Sequence, residues 1–322
     1  MDKRNIDGKI LLKKLLRRRE IGVVIPLIVF FIVFALRSPN FYSSANLMNI
    51  LRNSSYTLIG AVGMTLLLIT GIFDLSAGAQ LALGGVVAGF ALGAGINIPL
   101  SILFGIAGAS LGGILMGVST VILKIPCFIG GMGAMYILKG VVLLTTGGMP
   151  VFPLPDKFNA LTNATVGPLP LVLAVAALMA IITHIVLTYT VFGRKIFACG
   201  GNVETSRLAG IRTNRVLFVV HIISACCMGI VGVLTAARLG SGQPTAGSDY
   251  NMAIIAACVI GGVSLFGGAG SILGAVFGSI FMTMLTNGMT ITGISPFYQQ
   301  LILGIVVIVS VAFDRFRTTR RM

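Results

Sequence analysis

Residues 61–95 read AVGMTLLLIT GIFDLSAG AQLALGGVVAGFALGAG: two nearly charge-free apolar stretches, Ala61–Thr70 and Ala79–Gly95, flank the Gly- and Ser-punctuated break Gly71–Gly78. Asp74, inside that break, is the only carboxylate within the apolar body of the chain. An ionised Asp at mid-bilayer costs about 2.5–3.5 kcal/mol on insertion scales, so it is not expected there without polar partners. Lipid tolerates a helix interruption only where protein or a water-filled cavity surrounds it. The stretch therefore predicts a polar break enclosed by helices, and the first place to seek a solute path.

The rest of the composition agrees. Hydrophobic residues make up 56% of the 322 and charged ones 10%, with a mean hydropathy of +1.03. A soluble domain of this length needs about a quarter of its residues charged. The 42 Gly suit helices that approach closely in lipid, and without Trp any aromatic belt falls to Tyr and Phe. The fold class is all-α: a polytopic integral membrane protein.

A net charge of +15 by itself suggests nucleic acid, but the cations lie in loops and termini between apolar spans. The first twenty residues carry eight, from Lys3 to Arg19; the tail carries Arg315, Arg317, Arg320 and Arg321; the loop 191–215 carries Arg194, Lys195, Arg207, Arg212 and Arg215. The positive-inside rule puts all three in the cytoplasm. The basic-then-apolar start ends at Arg37-Ser-Pro without a small-residue cleavage site, and reads as a retained first helix. The division is thus a basic cytoplasmic segment 1–20, a transmembrane domain 21–313 with a cytoplasmic loop at 191–215, and a basic cytoplasmic tail 314–322.

Spans of about 20 apolar residues, fewer where the bilayer thins, number ten: 21–37, 56–73, 78–95, 98–123, 127–146, 168–190, 216–237, 251–264, 270–288 and 298–313. An even number keeps both termini on one side and puts 147–168 and 238–250 outside. Gly261–Gly270 reads either as a cytoplasmic turn or as a re-entrant bend. Asp74 followed by Gly84-Gly85-Val86 is echoed by Asp249 followed by Gly261-Gly262-Val263. Spans five apart run oppositely, so a true repeat is an inverted one with the path at its interface. The candidate path residues are Asp74, Ser76, Gln80, Gln243, Thr245 and Asn287.

The chemistry is sparse. Cys127, Cys199, Cys226, Cys227 and Cys258 form no C-x-x-C pair and read as small buried hydrophobes, with no metal site. His184 and His221 lie within helices, where a hydrogen bond to a neighbouring helix competes with a proton relay as the reading. No G-x-x-x-x-G-K-[ST] loop occurs, so ATP is not bound through such a motif. Nothing reads as an enzyme.

The loop 192–211 mixes charge with Ile196, Phe197, Leu208 and Ile211. Asn202 is placed to cap a helix starting at Val203, with Glu204 favourable in its first turn and Gly210 ending it. Such a segment is either a solvated connector or a docking element for a soluble partner.

Val62-Gly-Met-Thr65 before Asp74-Leu-Ser-Ala-Gly78, Gly200-Gly-Asn202 with Leu208-Ala-Gly-Ile211, Ala237-Arg238 to Gln243-Pro-Thr-Ala-Gly247, and Ile260-Gly-Gly-Val-Ser-Leu-Phe-Gly-Gly-Ala-Gly-Ser271 occur in that order. This set resembles the permease subunits of ribose- and galactose-type ABC sugar importers, in the superfamily that includes branched-chain amino acid permeases. It runs from about Ser38 to Asp314. Gly71-Ile72-Phe73 departs from the family's usual Gly-Gly-Ile or Ser-Gly-Ile before the Asp, so no specific sugar is carried over. The resemblance implies a ten-helix subunit that pairs with a second permease, cytoplasmic ABC ATPases, and a periplasmic or extracellular solute-binding protein. ATP and Mg then belong to the ATPase, and this chain holds no cofactor. Gly200, Gly201, Asn202, Glu204, Arg207, Gly210 and Ile211 then look like the segment that couples to the ATPase, in a bacterial inner membrane. The competing reading is an ion-coupled secondary transporter using Asp74, opposed by the scarcity of other embedded carboxylates. A passive channel has no charged ring to support it.

Overall fold

The computed structural model describes residues 21–248 and 250–319. The basic segment 1–20, Asp249 of the internal echo, and Arg320 and Arg321 of the tail lie outside them. The described helices are α1 (Ile21–Arg37), α2 (Ser44–Ile69), α3 (Ala77–Gly93), α4 (Ile98–Gly117), α5 (Cys127–Thr146), α6 (Leu171–Tyr189), α7 (Val191–Gly201), α8 (Val203–Leu208), α9 (Thr213–Leu239), α10 (Tyr250–Ile260), α11 (Ile272–Ile291) and α12 (Pro296–Thr319). The α5–α6 connection adds one helical turn, Asp156–Asn159, and a hairpin pairing Thr165–Val166 with Leu169–Pro170. The ten expected spans correspond to α1–α6 and α9–α12. The last of these continues without interruption past residue 313.

Helix starts follow local capping chemistry, in which a side-chain oxygen takes up a free N–H of the first turn. Asn97 accepts from Leu100 N at 3.0 Å, Asn202 from Thr205 N at 2.9 Å, and Ser271 from Gly274 N at 3.0 Å. α9 ends in the same local way, at Gly240 with φ +65°.

α4, α5, α6, α9 and α11 are each long and apolar enough to cross a membrane, while α1, α3, α10 and part of α12 are shorter apolar helices. α2 differs. A start at residue 56 was expected because Asn46, Asn49, Arg52 and Asn53 precede it, yet the helix begins at Ser44, with Ser43 Oγ accepting from Asn46 N at 3.3 Å. Its polar first ten residues, largely exposed or half-buried, lead straight into the part of α2 that is central. From Ser54 to Ile69 every residue but Thr57 is buried, against α6, α9, α10 and α11.

Small residues make the contacts around it. A Cβ at Gly232 on α9 would lie 2.1 Å from Leu81 O of α3, and one at Gly229 would lie 2.8 Å from Ile106 Cα of α4. Backbones meet there directly, as expected where dispersion and close approach drive association in lipid.

Two connections differ from expectation or settle an alternative. Of residues 238–250, expected as an external loop, 241–248 fold back after α9 and run beside α3. Gly242 exchanges hydrogen bonds with Val151 at 2.9 and 3.0 Å, and a Cβ at Gly242 would lie 3.0 Å from Gly85 O. α10 then has only 11 residues, about 16 Å of helix, roughly half the hydrocarbon thickness. The segment 241–248 that precedes it is made of turns, with Ala246 N donating to Gln243 O at 3.3 Å. Residues 261–271 form a tight turn between separate helices. Ser264 N donates to Ala269 O at 2.9 Å, and Gly268 N to Ile69 O at 2.8 Å, with positive φ at Gly262, Gly267 and Gly268.

Gly232→Ala is expected to lower the thermal midpoint of the detergent-solubilised protein, from an overpacking cost of about 1–3 kcal/mol. Gly304→Ala in α12, where a Cβ meets nothing within 4 Å, should leave the midpoint unchanged or raise it. Equal midpoints for the two variants would contradict the backbone contact between α3 and α9.

Candidate functional site: a buried carboxylate between two helix starts

α2 ends at Ile69. Thr70 Oγ1 donates to Leu67 O at 2.6 Å, and Gly71 takes φ +79° as the chain turns away from the helix. Asp74 follows, 1% exposed. Its Oδ1 accepts from Ser76 N at 2.7 Å and from Ser76 Oγ at 2.6 Å, and its Oδ2 accepts from Gln80 Nε2 at 2.8 Å. Gln80 Nε2 also reaches Ser76 Oγ at 2.9 Å. All three side chains are buried. Every contact to the carboxyl is a donor, which is the pattern a carboxylate needs.

α3 starts immediately after, and Asn251, in the first turn of α10, clasps it. Gly78 N donates to Asn251 Oδ1, and Asn251 Nδ2 donates to Leu75 O. Backbones touch at the same point, since a Cβ at Gly78 would lie 2.1 Å from Gly247 O and one at Gly247 would lie 1.8 Å from Gly78 O. Two helices running in opposite directions thus begin side by side, deep in the fold. Each start presents unpaired N–H groups and the positive end of a helix dipole, which favours a negative side chain between them.

Beside the clasp lies a cleft of about 160 Å³, lined by Gly78 and Ala82 of α3, Tyr136 and Lys139 of α5, and Ser248 and Asn251 among others. Lys139 is the thirteenth residue of α5, exposed, and forms no ion pair among the described residues. An ammonium is costly in lipid, so this face of α5 belongs against water or another chain. Lys139 and Asn251 were both missed in the sequence. A lone Lys within an apolar span was the available signal for the first; nothing local marked the second.

The expected path residues separate into groups. Asp74, Ser76 and Gln80 form one network behind the cleft wall. Gln243 and Thr245 lie on the segment that walls the cleft but do not line it; Gln243 Nε2 donates to Ser241 Oγ at 2.9 Å, and Thr245 O accepts from Ser248 Oγ at 3.0 Å. Asn287 sits elsewhere, exchanging amide hydrogen bonds with Asn46, each at 3.0 Å, between α11 and the start of α2. His221 takes the simpler of its two readings, with Nδ1 against Leu217 O at 2.8 Å and Nε2 against Thr120 Oγ1 at 3.3 Å.

The expected docking segment forms two helices, not one. α7 precedes the predicted α8 and is capped by Thr190, whose Oγ1 accepts from Gly193 N at 3.2 Å. Gly200 presses on the end of α2, where a Cβ would lie 1.7 Å from Ile69 O. Gly201 has open space around it, Gly210 turns the chain with φ +81°, and Ile211 N donates to Ser206 O at 3.0 Å. Glu204 and Arg207 form an exposed ion pair at 2.7 Å. Leu208 is 87% exposed at the tip. Cys199 is buried in this seam, and burial pushes its thiol up, which suits a packing role.

The sequence has relatives among known proteins. The family model for the branched-chain amino acid transport system / permease component matches residues 46–311. The ribose import permease protein RbsC of Escherichia coli K12 is 34% identical over 296 residues, covering 90% of this chain and 92% of that one. The galactose/methyl galactoside import permease protein MglC of Haemophilus influenzae is 33% identical over 326 residues, covering 95% and 96%. The autoinducer 2 import system permease protein LsrC of Enterobacter sp. 638 is 31% identical over 304 residues, covering 94% and 88%. No solved structure matches the chain.

The clasp predicts coupling between its two sides. Asp74→Ala and Asn251→Ala should each lower the stability of the solubilised protein, by about 1–3 kcal/mol for each donor left unsatisfied. The double variant should lose less than the sum, with an interaction energy of about 0.5–3 kcal/mol in a thermal or denaturant double-mutant cycle. Strict additivity would mean that the two helix starts are held independently.

Proposed function

The chain belongs to the branched-chain amino acid transport system / permease component family, and on that premise we propose that it forms the path for a monosaccharide or similar small polar solute in a binding-protein-dependent ABC importer. The observation that carries this reading is the enclosed polar point at Asp74 beside a cleft walled by Lys139, Tyr136, Ser248 and Asn251. Polar donors and acceptors on a helix-poor segment at mid-bilayer suit a hydroxyl-rich cargo, and irregular backbone at that depth belongs where it lines a passage. The relatives named for ribose and galactose import support the solute class. The ion-coupled reading receives no support from them.

The cleft supplies one wall of a site. Its volume, about 160 Å³, falls below the roughly 300–1,000 Å³ of complete small-molecule sites, and the exposed Tyr136 and Lys139 face outward from α5. A second permease subunit closing over this face would complete the passage, keep Lys139 out of lipid, and let the two subunits rock for alternating access. Asp74, Ser76 and Gln80 hold the wall's shape, while Lys139, Tyr136, Ser248 and Asn251 contact the solute.

The ends divide by charge. α7 and α8 face the cytoplasm with Arg194, Lys195, Arg207, Arg212 and Arg215, and the solute-binding protein docks at the opposite end, in a bacterial plasma membrane. Leu208, exposed at the tip of a capped helix next to an exposed ion pair, is the contact for a cytoplasmic ATPase, which binds the ATP and Mg. Gly200 passes that contact to Ile69, five residues before Asp74.

Leu208→Asp and Glu204→Lys should leave the chain inserted and stable yet reduce solute-stimulated ATP hydrolysis by the assembled complex at least tenfold, which corresponds to about 1.4 kcal/mol of lost coupling. Lys139→Met should reduce solute uptake and spare assembly with the ATPase. Normal stimulation in both α8 variants would overturn the docking assignment, and normal uptake in Lys139→Met would remove this cleft from the path.

A further inference from the structure

On the far side of α2 from the cleft, a second cavity of about 330 Å³ opens between α2, α6 and α11. Its walls are almost wholly apolar, and the small side chains Ala177 and Ala180, three residues apart on one face of α6, create the space. It extends from His184 and Ile272 at the α7 end to Leu51 and Leu173 at the other, about 16 Å along α6. That length is close to half of the roughly 30 Å hydrocarbon core, the depth of one leaflet. Leu178, Ile182 and Ile185 on the outer face of α6 are exposed, and so is Leu273 of α11 at the cavity mouth, so the cavity opens onto the apolar exterior.

Its polar atoms are few and specific. Ser279 is fully buried, lines the cavity, and its Oγ has no hydrogen-bond partner. Ser54 and Ser55, by contrast, both donate to Leu51 O at 2.9 and 2.8 Å. Ser279 lies about 10 Å along α11 from Ile272, so its hydroxyl stands inside the cavity, while His184 lines the α7 end. α7 packs on α6 and α2 at that end and carries the exposed Arg194 and Lys195.

We propose that this cavity binds one anionic phospholipid of the α7-side leaflet, with an acyl chain lying along Ala177 and Ala180, an ester carbonyl accepting from Ser279 Oγ, and the headgroup near Arg194 and Lys195. The chain fills the groove that Ala177 and Ala180 leave open. The carbonyl supplies the acceptor that Ser279 lacks, and basic side chains at a membrane surface attract anionic headgroups. Because α2 and α11 end at Ile69 and Ser271, where Gly200 and the 261–271 turn seat, occupancy braces the same seam that the docking helices press on. This last consequence rests on the proposed coupling role; lipid binding itself does not.

Native mass spectrometry of the full chain, purified in a mild detergent from membranes containing phosphatidylglycerol, reads binding without any transport assay. One phospholipid per chain should survive detergent exchange, be lost in Ala180→Phe, and persist in Ile182→Phe on the open face. Since Ala180→Phe risks misfolding, a second measurement uses the absence of native Trp. In phosphatidylcholine vesicles with a minor fraction of acyl-brominated phosphatidylglycerol, Leu273→Trp at the cavity mouth should be quenched about fivefold more than Leu178→Trp on the outer face, the preference expected for one favourable basic contact. Arg194→Gln with Lys195→Gln should abolish that difference. Equal quenching at both positions, or retention of lipid in a folded Ala180→Phe, would overturn the proposal.

Discussion

Two helices that begin in the middle of a membrane leave a set of N–H groups with no water to satisfy them. α3 and α10 begin side by side, and at the start of α3 Asp74 and Asn251 take up the free N–H groups. The Asp74 carboxyl takes Ser76 N, Ser76 Oγ and Gln80 Nε2, while Asn251 bridges from the first turn of α10 to Gly78 N and Leu75 O. In a medium that penalises each unpaired polar group by several kcal/mol, this arrangement permits a break where a continuous helix would otherwise be required.

Other features follow from the position of that point. Gly78 and Gly247 let the 241–248 segment lie directly on α3, which opens the cleft toward α5. α10 is left as a half-length helix, and its end turns through 261–271 onto Ile69 and Gly200. A short covalent path, Ile69 to Asp74, therefore separates the surface where α7 packs from the carboxyl at the clasp.

Much of this was legible in the sequence, for identifiable reasons. Span placement followed from apolar length. Asn202, Glu204 and Gly210 announced α8 because capping is local, and Asp74 stood out because a carboxylate in an apolar run needs a cause. What was hidden depended on tertiary enclosure. The polar first turns of α2 read as a loop by lipid hydropathy, yet they continue without a break into the buried half from Ser54 to Ile69. The return of 241–248 along α3 depends on glycine backbones meeting across 169 residues of chain, from Gly78 to Gly247, which no local pattern reports. Asn251 has no neighbourhood that marks it as a clasp. Asn287 looked like a path residue because an amide within a span suggests one, but Asn46 satisfies it.

The most direct measurement compares solute uptake by Asp74→Asn and Asp74→Ala, normalised to the amount of inserted protein. If Asp74 serves as the acceptor that holds the start of α3 in place, Asn keeps one oxygen there and uptake falls modestly, whereas Ala leaves the donors of Ser76 and Gln80 unpaired and uptake collapses. Equal and complete loss in both variants would show that the charge itself is required, as in an ion-coupled carrier, and would contradict the account.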